Sequence, residues 1–91
     1  MNDEVELLTE KYISAVESAI GELTLGKPGP EAATIKIEPV IDAANRYLTD
    51  AKYYLNTGKK ATALASVSYA EGLLDALKIM GFVTFEWKRI G

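Results

Sequence analysis

The sequence predicts an all-α protein: a three-helix antiparallel up-and-down bundle followed by an extended C-terminal tail. Three observations predict it. Apolar residues recur at helical spacing over three long segments. A cluster of Gly and Pro separates the first two segments, and only Gly58 and Lys59 separate the last two. The chain has 91 residues, a length suited to one domain, so residues 1–91 read as a single helical unit.

The first helix is expected over about residues 3–22. Asp3 followed by Glu6 has the spacing of a capping box, with Asp in place of the usual Ser or Thr. At ~100° per residue, Val5, Leu8, Tyr12, Ala15, Val16, Ala19, Ile20 and Leu23 share one arc. Glu6, Glu10, Ser14, Glu17 and Ser18 fall opposite, with Leu7 the one apolar residue among them. Such a helix buries one face.

A linker over 23–38 follows. Gly26, Pro28, Gly29 and Pro30 cannot continue a helix. Ile35 and Ile37 alternate with Thr34, Lys36 and Glu38, which predicts an extended segment over 32–38. Pro39 suits the first turn of the next helix.

The second helix is expected over about 39–57. Val40, Ile41, Ala43, Ala44, Tyr47, Leu48, Ala51, Tyr54 and Leu55 form its apolar arc. Asp42, Arg46 and Asp50, spaced i,i+4, form an ordinary solvated face. Tyr53 stands alone on that polar side and is a candidate contact residue. Gly58 ends the helix, and a two-residue connection forces an antiparallel hairpin.

The third helix is expected over about 60–80, ending at Gly81. Its polar arc is narrow: Lys60, Glu71, Asp75 and Lys78, with Leu64 among them. The rest of its circumference is apolar or small, so it should be covered on more than one side and form the centre of the domain. One stripe, Ala61, Ala65, Ser68, Gly72, Ala76 and Ile79, is nearly all small residues. It is expected to give tight packing inside the bundle, or in part to meet a second subunit.

In the tail, 82–91, Val83, Phe85 and Trp87 alternate with Thr84, Glu86 and Lys88, a strand pattern. The tail either folds back over the bundle or pairs with an edge supplied by residues 32–38 or by another molecule. Phe82, Phe85 and Trp87 are therefore candidate contact residues, with Tyr69 and Gly72 of the third helix.

Composition excludes much chemistry. With no Cys and no His there is no disulfide scaffold, no Cys/His zinc site, no Ser-His or Cys-His pair and no histidine switch. A net charge of −3 argues against nucleic acid as a partner. The charge is uneven: residues 1–22 hold six acids against Lys11, while residues 59–91 are net basic. The acidic side of the first helix is expected to be a solvated face; the alternative is that it lies beside the basic end, within the chain or in a neighbouring copy. The acidic start is unlike a leader peptide, and no apolar run reaches the ~20 residues of a membrane span. A soluble, cytoplasmic protein is expected.

Glu71 and Asp75 stand at i and i+4 and could hold a divalent metal or act as an acid/base pair. Their place in the polar arc, one turn from Lys78, favours simple solvation. The Gly26–Pro30 loop lacks the spacing of a phosphate-binding loop. Tyr69, Ser66 and Ser68 have no evident base beside them. No catalytic residue, metal site or cofactor is assigned.

The run DAKYYLNTGKKATALASVSYAEGLLDAL, Asp50 to Leu77, resembles the archaeal domain-of-unknown-function 357 family. The features that carry the match are the aromatic pair Tyr53-Tyr54 before the turn, Gly58 at the turn, and the Tyr69-Ala-Glu-Gly-Leu-Leu-Asp-Ala76 core. The likeness covers about residues 40–81 strongly, helix one weakly and the tail not at all. It implies a short archaeal cytoplasmic protein folded as an up-and-down three-helix bundle, and no activity. Some related chains carry this domain beside a nucleotidyltransferase domain, which hints at an accessory role. Ala51, Tyr54, Gly58, Ala63, Val67 and Ala70 also fall at the spacing of one tetratricopeptide unit. The proline expected after its second helix is missing and no second copy is present.

The expected function is that of a small interaction or accessory module, acting through self-association or a protein partner. The alternative is a metal- or nucleotide-dependent activity centred on Glu71, Asp75 and Tyr69.

Overall fold

The computed structural model describes residues 3–88. It is a three-helix fold: α1 spans Glu4–Glu22, α2 Glu38–Asn56 and α3 Lys60–Ile79. Two short strands, β1 (Thr24–Leu25) and β2 (Val83–Thr84), join the linker to the tail. The inner stripe of α3, Ala63, Val67, Ala70, Leu74 and Leu77, is buried and packs on both other helices.

The start of α1 follows the predicted spacing: the Asp3 carboxylate accepts the Glu6 backbone N–H at 2.7 Å. Its buried face is rotated from the expected arc. Thr9, Ile13, Val16 and Ala19 are buried, while Val5, Leu7 and Leu8 stay exposed. The first turn of α1 meets a charge: Lys60 Nζ lies 2.7 Å from Asp3 and 3.6 Å from Glu6. Thr9 can be buried because its hydroxyl donates to the Val5 carbonyl at 2.6 Å.

The linker departs from the alternation read over 32–38. The Gly29 carbonyl accepts N–H groups from Ala32 and Ala33 at 3.0 and 3.1 Å, and Ala32–Thr34 coil into a 3-10 turn. Ile37 is buried but Ile35 is exposed. The extended pieces are instead β1 and β2, paired antiparallel with Thr24 opposite Thr84 and Leu25 opposite Val83. The two threonine hydroxyls lie 2.7 Å apart.

Both later helices end in the same closure. At α2, Gly58 takes φ +84°, its N–H reaches the Leu55 carbonyl at 3.2 Å, and the Lys59 N–H reaches Tyr54 at 2.8 Å. At α3, Gly81 takes φ +83°, with Gly81 bonded to Lys78 at 3.1 Å and Phe82 to Leu77 at 2.9 Å. The first closure sets the α2–α3 hairpin. The second turns the tail back, and Phe82, Val83 and Phe85 enter the core. The tail therefore folds over the bundle, and its edge comes from β1, not from 32–38.

Gly26 is required where the tail crosses the linker. Its N–H donates to the Phe82 carbonyl at 2.8 Å, and a Cβ there would stand 2.2 Å from the Gly81 carbonyl oxygen. Gly26→Ala should therefore force the two backbones apart at a cost of about 2 kcal/mol. The expected fall in melting temperature is of the order of 10 °C, read by circular dichroism.

The Asp3–Lys60 pair gives a pH prediction. The Lys60 hydrogen bond, then the Glu6 N–H, hold the Asp3 carboxyl below its ordinary 3.8. The bond to Asp3 holds the Lys60 ammonium above its ordinary 10.5. The pair's contribution is complete above pH 3.8 and below pH 10.5. It is lost as pH falls through the depressed Asp3 value or rises through the raised Lys60 value. Asp3→Asn keeps a capping side chain and removes the charge. Wild type should melt above Asp3→Asn at neutral pH, and the difference should vanish below the Asp3 value in a pH series of melts.

Candidate functional site

Three of the four charged side chains of α3 meet partners within the chain. Lys60 pairs with Asp3 and Glu6 of α1. The Asp75 carboxylate accepts the Trp87 indole N–H at 3.0 Å. Lys78 Nζ sits 5.0 Å from the centre of the Phe85 ring, within cation–π range. Lys60, Glu71, Asp75 and Lys78 are all half-buried. The arc expected to face water is thus half-covered by α1 and the tail. Acidic residues of α1 stay largely exposed, as the solvated reading expects, and also meet basic residues of the same chain: Lys88 meets Glu22 at 2.6 Å, and Lys52 bonds to Glu17.

The small-residue stripe lies on the outer side of α3, opposite its buried stripe, against the expectation of tight packing inside the bundle. Ala61, Thr62, Ala65, Ser68, Tyr69, Gly72, Ala76 and Ile79 are the exposed residues of α3, and none carries a charge. The physical reason is geometric: α1, α2 and the tail pack on the remaining surface of α3, and among the described residues no further element covers this one. A Cβ at Gly72 would meet nothing within 4 Å. The face becomes bulky at its C-terminal end, where Ile79 is 77% and Met80 58% exposed. Tyr69, 57% exposed, flanks it at the seam with α2, its ring 4.5 Å from that of Tyr47.

The sequence candidates separate accordingly. Tyr69 and Gly72 share this uncharged face. Tyr53 is exposed too, but on α2, its ring edge-on to Tyr54 at 5.5 Å. Phe82 and Phe85 are buried core, so their side chains are spent on the protein's own interior. Trp87 is half-buried and packs edge-to-face on Phe85 at 4.7 Å. Ile79 belongs to the stripe read from the sequence but is not singled out there as a contact residue, nor is Met80. Their signal was position: they end a run of small residues at helical spacing that contains no charge.

Among the described residues no three His, Cys, Asp or Glu side chains come together as a metal could require. Asp75, half of the carboxylate pair, is held by Trp87. Among the described residues no helix is long and apolar enough to cross a membrane.

A family model described as protein of unknown function (DUF357) matches residues 11–83, a span that contains α2, α3 and the whole uncharged face. No curated protein and no solved structure matches the chain.

Two substitutions test this geometry. Asp75→Ala removes the acceptor for the indole N–H and should cost about 1 kcal/mol. Trp87 is the chain's one tryptophan, so its emission should also shift to the red as the ring gains water. Gly72→Ala fills open space in a helix interior and should stabilise by about 0.5–1 kcal/mol. That gain would raise the melting temperature by about 2–8 °C.

Proposed function

The chain belongs to the DUF357 family, and we propose that it is a small interaction module that docks a helix on the uncharged face of α3, in the first place α3 of a second copy. The observation that carries this reading is the row of exposed, uncharged residues from Ala61 to Ile79, with Tyr69 and Met80 beside it. Covering it strips no ion of its water, so the desolvation cost that accompanies buried charge does not arise. Small side chains let two helices approach at the short end of the usual ~8–10 Å range.

The size gradient along the face favours an antiparallel pair. A two-fold axis near Ala70 sets Ser68 opposite Gly72 and bulky Ile79 opposite small Ala61. A parallel pair would set Ile79 against Ile79 and leave the alanine end gapped. Such a contact is isologous and closes as a dimer. Its strength follows from its area. Twenty residues rising ~1.5 Å each give a face about 30 Å long. At a width of ~10 Å it offers about 300 Å² per copy, below the ~800 Å² per partner of a standard interface. The pairing is therefore weak and reversible, as suits a module that exchanges its own copy for another helix.

The chain's lack of cysteine makes the test clean. Ala61→Cys and Ile79→Cys are mixed under mild oxidation at about 100 µM. The antiparallel pair predicts a disulfide between the two variants and little cross-linking of Ala61→Cys alone. Self-linking of Ala61→Cys would replace it with the parallel pair. No cross-link, together with a strict monomer by sedimentation, would sink self-association. Gly72→Arg, which should leave the fold intact because its side chain enters open space, should abolish the cross-link.

A further inference from the structure

We draw no further inference here: the strongest candidate, the hollow of about 340 Å³ between the linker and Phe82, lined by Leu25, Ile35 and Ile37, carries nothing because no feature of the structure shows what covers it.

Discussion

The turn at Gly81 governs most of what this protein presents to its surroundings. A positive φ there lets the Phe82 N–H close on the Leu77 carbonyl and reverses the chain. From that reversal follow the β1–β2 pairing, the burial of Phe82, Val83 and Phe85, and the arrival of Trp87 at Asp75. A non-glycine residue reaches this conformation only at a steric cost, and a tail leaving in another direction would uncover that apolar surface. In a chain this short, with little core to spare, those three side chains are a substantial share of the buried apolar volume.

The same reversal divides α3 into two unlike faces. The tail and α1 engage three of the helix's charged side chains: Lys60 with Asp3 and Glu6, Asp75 with Trp87, Lys78 over Phe85. An exposed ion pair such as Lys60–Asp3 contributes modestly to stability. With its charges on one side, α3 turns Ala61, Ala65, Ser68, Gly72, Ala76 and Ile79 to the outside. The proposed interaction role rests on this distribution, since a face without charge is the one that a partner would cover at least electrostatic cost.

Much of this was legible beforehand. Gly58 and Gly81 marked the two helix ends, Asp3 and Glu6 the first start, and the α3 core stripe appeared at its 3–4 spacing. The likeness read from Asp50 to Leu77 and the family match over residues 11–83 agree. The misreadings share one cause. Periodicity states which residues lie together on a helix, not which neighbour that side faces. Val5 and Leu8 look inward by arc, yet both stay exposed while Thr9 and Ile13 are buried. The acid-and-lysine arc of α3 looks solvated by composition, yet Trp87 and Phe85 lie against it. Residues 32–38 alternate like a strand, but the Gly29 carbonyl draws Ala32 and Ala33 into a turn.

The sequence by itself determined the number of helices, their ends and the hairpin between the second and third. Those features depend on local torsions and on residues three or four apart, and such preferences are written in the chain. Only the tertiary structure decided that the small-residue stripe of α3 faces outward and that two of the tail's aromatics are core. Both depend on where Thr24–Gly26 meets Phe82–Thr84, a contact between segments almost sixty residues apart. No local preference encodes such a meeting, because it is selected by the total surface the folded chain can bury.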